Sequence, residues 1–518
     1  MASWTDQELL QLESLGIPSR EADRQLALLA SPPPPPLLDR PATLNDGIER
    51  PTSPEQEQAL ERFEPRRLEG RFEKFVPASG AASRMFFEMK KALREYPVTR
   101  SELEKRAREG NAESQRLLEF FRGIRRAGFQ GELAQSLRSS GKDLDLLLKE
   151  GNYHAVLETL LQPDGMDYSE RPKGLVPFHL YGNESRTPLG EHLIEASRLV
   201  KDASGTCRVH FTVSPEHEGH FRNHVMEFKA RWESRIPCRF EVVFSFQKPS
   251  TDTLSLDEEG RPVRDERGRL LFRPGGHGAL IENLAEARTP YLFIKNIDNV
   301  GTESRSTLTL HWERVLGGLL VRRKEQADLW LGECSSPDFS LKKAQALAET
   351  IRREWRLEVP AQPEGVGTPV ERLRSFLNRP LRVCGVVPNT GEPGGGPFWV
   401  WSPDGTCSLQ IVEGSQVDMG NSAQADIFRS STHFNPVDMA CALREYSGKP
   451  FDLNRFVDLQ TVFLSRKSWQ GREIRALERP GLWNGAMAGW ITFFVEMPLE
   501  TFHPVKTVYD LLKPSHRA

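Results

Sequence analysis

With 518 residues, 38% hydrophobic and 27% charged content, the chain is long enough to bury a large core and to fold as two or more lobes. A formal charge of −3 gives no general electrostatic reason to bind nucleic acid, and without a run of about 18 apolar residues no membrane span is expected. The six cysteines, Cys207, Cys238, Cys334, Cys384, Cys407 and Cys441, stand singly with no C-x-x-C pair. That spacing fits buried thiols in a reducing compartment rather than zinc ribbons or a disulfide framework. With no basic-then-apolar leader either, the cytoplasm is the expected location.

Residues 1–65 read as a helical N-terminal extension. Thr5 and Glu8 form a capping-box pattern, and Ser53, Pro54 and Gln56 open a further helix. Between them Pro32 to Pro36 favours a polyproline II spacer, with Leu37-Leu38 positioned to pin it to the body. An α/β core is expected over 66–370, interrupted by a charged, Leu-rich helical insertion at 86–170. Strand and helix alternate after it: strands at Cys207–Val213, Phe240–Phe246 and Tyr291–Ile297, helices at Gly190–Val200, Glu216–Ser234 and His277–Ala287. That alternation predicts a mostly parallel, Rossmann-like sheet with helices on both faces, which binds ligands at the carboxyl ends of its strands. Beyond it a helix from Arg305 to about Lys324, a strand at Ala327–Gly332 and a helix at Leu341–Glu354 are expected. Residues 371–518 read as a strand-rich, aromatic part.

The chain turns on Phe75-Val76-Pro77-Ala78-Ser79-Gly80-Ala81-Ala82-Ser83-Arg84-Met85, read as strand, tight loop and helix. Small side chains let a backbone approach a ligand closely, and amides at a helix start can point at an anion. The same residues also suit plain close packing. The loop has neither the Gly-Lys-Ser/Thr end of a Walker A motif nor the three glycines of a dinucleotide turn.

Four further clusters fall where such a sheet would place ligand edges, and each has two readings. Gln247 either caps a strand or reads a pyrimidine edge with its amide. Gly275, Gly276, His277 and Gly278 form an ordinary turn or a close approach to a flat base. Asp298, in Asn296-Ile297-Asp298-Asn299, is a turn residue or a hard oxygen ligand for Mg²⁺ beside phosphates. Lys173 and Lys506, taken alone, are ordinary solvated lysines.

Taken in order, these elements resemble the UDP-sugar pyrophosphorylases, the eukaryotic-type UDP-glucose and UDP-N-acetylhexosamine enzymes with a glycosyltransferase-A-like α/β core. Ser79-Gly80-Ala81-Ala82-Ser83-Arg84 matches their Gly-Gly-x-Gly-Thr-Arg loop, and Pro172-Lys173 their downstream Pro-Lys. Gln247 stands for the base-reading glutamine, and Pro274-Gly275-Gly276-His277-Gly278 for a Pro-Gly-His-Gly element with one extra glycine. Asn296-Ile297-Asp298-Asn299 and Phe502-His503-Pro504-Val505-Lys506 complete the set. The whole chain also looks like an uncharacterised bacterial family carrying the same elements.

The resemblance implies transfer of a nucleotidyl group from an NTP, by preference UTP, to a sugar 1-phosphate, with release of pyrophosphate. It implies Arg84, Lys173 and Lys506 in the catalytic charge set and Asp298 on Mg²⁺. It assigns Ser79, Gly80, Ala81, Ala82, Ser83, Gln247, Gly275, Gly276, His277, Gly278 and Asn296 to the nucleotide. Two departures stand out: Ser79 and Ala82 occupy positions that are glycine in the family loop.

In the strand-rich part, Gly394, Gly395, Gly396 and Trp399, with His433 and Asn435, suit stacking on a sugar ring and bonding its hydroxyls, and equally suit a lid packed on the core. Two other functions stay open. A UDP-sugar-dependent glycosyltransferase shares the fold but needs an Asp-x-Asp that Asp298-Asn299 lacks, and a catalytically silent nucleotide-binding protein fits the altered loop. His217, Glu218, His220 and His224 crowd one helix, with His220 and His224 at the i, i+4 spacing of a two-histidine metal site.

Overall fold

The computed structural model describes residues 4–360, 367–392, 394–402 and 405–517. The chain is a mixed α/β protein that divides into two compact units. One comprises Met1–Glu73, Ser245–Ile294 and Glu313–Pro498; the other comprises Lys74–Phe244, Lys295–Trp312 and Leu499–Ala518.

In the first unit, strand Leu381–Pro388 pairs in parallel with Ile491–Glu496, which pairs in parallel with Gly47–Glu49; Asp438–Ala442 runs antiparallel on the other side of Leu381–Pro388. The strand Leu381–Pro388 is buried along nearly its whole length, as a strand covered on both faces must be. A separate antiparallel sheet joins Leu37–Pro41, Gly395–Trp401 and Cys407–Glu413. The polyproline run therefore leads into a sheet strand, with Leu38 in a small apolar cluster and Leu37 exposed. At the N-terminus Thr5 and Glu8 form the expected capping box.

The expected strand at Ala327–Gly332 is absent: a single helix runs from Glu303 to Cys334. Ala327, Trp330, Leu331 and Cys334 are the buried residues there, at the i, i+3, i+4, i+7 spacing of one helical face. The Leu-Trp-Leu triplet looks strand-like only locally, and no glycine or proline falls between Gly318 and the triplet to break the helix.

The second unit carries strand Phe72–Pro77 from Lys74 onward, parallel to Thr206–Thr212. Between that strand and Lys173 lie six α-helices, from Phe87–Glu95 to Tyr153–Leu161. Thr99, Asn111, Asp143 and Asn152 cap four of them through side-chain oxygens. Their apolar faces enclose one core that also takes in Val300, Val505, Val508 and Leu511. The C-terminal segment is thus nailed to the helical insertion on either side of Lys506. Among the described residues no helix is long and apolar enough to cross a membrane.

Candidate phosphate site

Inside the second unit hydrogen bonds from backbone amides pair segments that lie far apart in sequence. Strand Phe72–Pro77 ends in Ala78, whose N–H donates to the Thr212 carbonyl at 2.8 Å. The loop then pairs with the segment before Lys173: Ala82 N–H donates to Arg171 O at 3.0 Å and Lys173 N–H to Gly80 O at 3.1 Å. On the far side Val505 N–H donates to Asp298 O at 3.1 Å, and His503 N–H to the Asn299 side-chain oxygen at 3.0 Å.

This stitching delivers Lys173, Asp298 and Lys506 to one point. Lys173 Nζ lies 2.7 Å and Lys506 Nζ 3.2 Å from the same Asp298 oxygen, Oδ2. Side-chain exposure is 13% for Lys173, 12% for Asp298 and 48% for Lys506. Burial disfavours the Asp298 charge, yet the two lysines outweigh it and hold the carboxyl below its usual range. Burial pushes the Lys173 ammonium below its ordinary value against the pull of Asp298, and Lys506 repels it further. The trio carries one net positive charge, and Arg84 on the loop is exposed.

The loop itself leaves backbone donors and space open. Ser79, Gly80 and Ala81 are exposed. Among the described residues their amides donate to no backbone carbonyl. A Cβ placed on Gly80 would have no atom within 4 Å. The expected helix start is delayed: Ala82–Arg84 form a 3-10 turn, and the α-helix begins at Phe87. Ala82 is fully buried and Ser83 half-buried.

Several residues of this site carried no signal of their own in the sequence. His192, wholly buried, sets its Nε2 3.2 Å from the Asn296 carbonyl and 3.3 Å from that of Ile297, bracing the turn that presents Asp298. Burial and the charge of Lys74 keep this imidazole neutral. One turn along, Glu195 pairs with both Lys74 and Lys295. Burial works against its charge, and those two lysines overcome it. Their three-residue spacing along helix Pro188–Leu199, which also carries Glu191, Ser197 and Arg198, was the available sign.

Gln247, the Gly275–Gly278 run and the sugar-side candidates lie in the first unit. Gln247 is half-buried and donates to Asp252 at 3.3 Å. Gly276 has φ +76°, while Cβ atoms on Gly275 and Gly278 would fall 2.5 Å from Thr251 O and 1.9 Å from Pro480 O. The close approaches of those two glycines are thus to the chain's own backbone. His277 accepts from Leu482 N–H at 3.1 Å and stacks on Trp483, with ring centroids 4.3 Å apart. Burial lowers its pKa against the influence of Glu413 and Glu478.

Gly394, Gly395, Gly396 and His433 line a cavity of about 380 Å³. Trp399 and Asn435 lie elsewhere: Trp399 is buried under Arg40 and donates to Asp46 O, and Asn435 accepts from Val437 N–H. The histidine-rich helix does not assemble as a metal centre. His224 turns onto Thr187 at 2.8 Å, and no group of three metal-ligating side chains occurs among the described residues.

Comparison with curated proteins finds no match. Among solved structures, the chain is similar to the uridine diphosphate N-acetylglucosamine pyrophosphorylase of Trypanosoma brucei in complex with inhibitor, at 12% identity and TM-score 0.48, covering 98% of this chain and 79% of that one. The UDP-glucose pyrophosphorylase of Leishmania major matches at 11% identity and TM-score 0.43, over 98% of this chain and 79% of that one. The UDP-glucose phosphorylase of Trypanosoma brucei matches at 12% identity and TM-score 0.42, over 97% and 77%. The model of the family described as a domain of unknown function, DUF4301, matches residues 5–517, and the chain belongs to that family.

Proposed function

We propose that the protein is a nucleotidyltransferase that joins a sugar 1-phosphate to an NTP and releases pyrophosphate. The observation carrying this reading is the convergence of Lys173 and Lys506 on Asp298 Oδ2, in the same unit as a loop whose exposed amides face no backbone acceptor. In the reaction a phosphate oxygen of the sugar 1-phosphate forms a bond to the α-phosphorus. The bond from that phosphorus to the bridging oxygen breaks in line, and pyrophosphate departs with the electron pair. Such chemistry needs positioning and charge neutralisation rather than a covalent nucleophile. Lys173 and Lys506 supply cations, Arg84 a third, and the Ser79–Ala81 amides hold non-bridging oxygens.

Mg²⁺ fits as a substrate-borne ion. Asp298, whose Oδ2 both lysines contact, would hold the ion as a hard oxygen ligand beside the substrate phosphates. When bound, the ion would add charge neutralisation at the phosphates. Preference for UTP and the roles of Gln247, Gly275 to Gly278 and the Gly394 to Gly396 cavity rest on the sequence resemblance alone.

A nucleotide-binding protein without turnover is the second reading. It is favoured by Ala82, which stands where the resembling enzymes carry glycine and whose amide is already committed to Arg171 O. Incubation with Mg²⁺, each NTP and a panel of sugar 1-phosphates, following pyrophosphate, separates the two. Release with one pair is expected. Tight UTP binding without release from any pair would establish the silent reading instead.

A further inference from the structure

A second concentration of positive charge lies in the same unit, on the helical insertion, apart from the Lys173, Asp298 and Lys506 trio. A cavity of about 410 Å³ is walled by Arg116, Arg122, Arg126, Lys513 and Arg517, against a single carboxylate, Glu119. Helix Ala112–Gly123 and the 3-10 turn Ile124–Arg126 supply one wall, and the C-terminal turns after Val508 the other. Arg116 is held by Glu88 and Lys513 by Asp510, and Arg517 donates to the Leu512 carbonyl at 2.7 Å. Arg122 and Arg126 are exposed and pair with no carboxylate among the described residues. Tyr509 and Leu512 give the cavity an apolar flank.

We propose that this cavity binds a small phosphorylated anion bearing at least two phosphate groups. Arg122 and Arg126 bring charge to the cavity that no carboxylate of the described residues pairs with, and an anion would complete it. Guanidinium forks match phosphate oxygens in pairs. The volume is that of a small-molecule site, and the chain's net charge of −3 gives no general electrostatic drive toward nucleic acid.

The site is wired to Lys506. Lys513 Nζ pairs with Asp510 Oδ1 at 2.7 Å, and Asp510 Oδ2 accepts from the backbone N–H of Lys506 at 2.9 Å and of Thr507 at 2.7 Å. An anion that draws Lys513 into the cavity alters the carboxylate supporting the Lys506 backbone. The importance of that link, though not the binding itself, rests on the role proposed above for Lys506.

The test is calorimetric titration of the full chain with inorganic tripolyphosphate and with orthophosphate. Tripolyphosphate is expected to bind at least tenfold tighter than orthophosphate. Two anion steps are expected, one of them at the Lys173 trio; the double variant Arg122→Ala, Arg126→Ala should weaken one step at least tenfold and keep the other, which Lys173→Ala weakens instead. Binding lost altogether in Lys173→Ala and kept in full in the arginine double variant would assign the anion to the other site and overturn the proposal, as would no binding at all. An RNA or poly-glutamate that binds through these arginines when tripolyphosphate does not would overturn it too. Amide exchange over residues 503–513 reads the link: bound tripolyphosphate should change exchange at least twofold in the wild type and not in Lys513→Met. Unchanged exchange in the saturated wild type would remove the coupling.

Discussion

Gly80 and Gly278 both sit in short runs of small residues, yet their surroundings are opposite. Around Gly80 nothing lies within 4 Å of the position a Cβ would take, whereas at Gly278 that atom would lie 1.9 Å from the Pro480 carbonyl oxygen. Gly394, Gly395 and Gly396 are crowded as well, but by the side chains of Phe434, Ile411 and Ser431 within 3 Å. A glycine-rich run therefore marks a close approach without saying to what. Where the approach is to the chain's own backbone, glycine serves packing; where the space is open and cations stand beside it, the loop is free for a ligand.

The contrast can be broken most forcefully at Gly278. Gly278→Ala should destabilise the protein by about 3 kcal/mol or more, since neither the added carbon nor the facing backbone has room to move. Urea unfolding measures this, and a change below about 1 kcal/mol would mean the packing explanation is wrong. At the open loop the expected loss is in rate. Lys173→Ala should lower kcat by about 10²- to 10³-fold, beside a stability cost from leaving the buried Asp298 carboxylate with Lys506 alone, as steady-state kinetics beside a urea melt will show.

Acid sensitivity sharpens the same comparison. His503 and His516 are buried in the unit that carries the loop, with His516 set 2.9 Å from His179. Burial, with neighbouring positive charge from Lys295 and His179, pushes His503 down to about 4 and His516 down to about 3. The unfolded chain then binds more protons than the folded one between those values and about 6.5. Stability should fall as pH drops through that window, and His503→Gln with His516→Asn should flatten the slope. Asp298 acts lower on the scale: its depressed carboxyl contributes stability that is present above about pH 4 and lost as pH falls through its folded value. Asp298→Asn should remove that last portion of the acid transition, read from chemical unfolding at stepped pH. The smallest effect belongs to Gly80→Ala, with stability within about 0.5 kcal/mol of wild type and UTP binding weakened, measured by calorimetry. A large loss of stability there would show that the loop is packed after all.

What the sequence offered of the candidate site was a set of charged residues at loop positions. Lys173, Asp298 and Lys506 lie 125 and 208 residues apart, and only their order relative to the loop suggested they would meet. The capping box at Thr5 and the start of helix Pro188–Leu199 at Thr187 were legible for local reasons, a side-chain oxygen followed by helix formers. Other features depend on tertiary partners that no local pattern contains. The Gly275 to Gly278 turn owes its glycines to Thr251 and to Pro480, some 200 residues downstream. The helix through Ala327 is decided by which of its faces is buried. His192 and Glu195 looked like ordinary polar residues until Lys74, Lys295 and the Asn296–Ile297 carbonyls were seen around them.

Nucleotidyl transfer is tested most directly by phosphorus NMR of the protein with Mg²⁺, UTP and a sugar 1-phosphate. The account predicts a nucleoside diphosphate sugar and inorganic pyrophosphate appearing in equal amounts, with both lost in Lys173→Ala. Orthophosphate in place of pyrophosphate, or equal product from the Lys173→Ala variant, would contradict it.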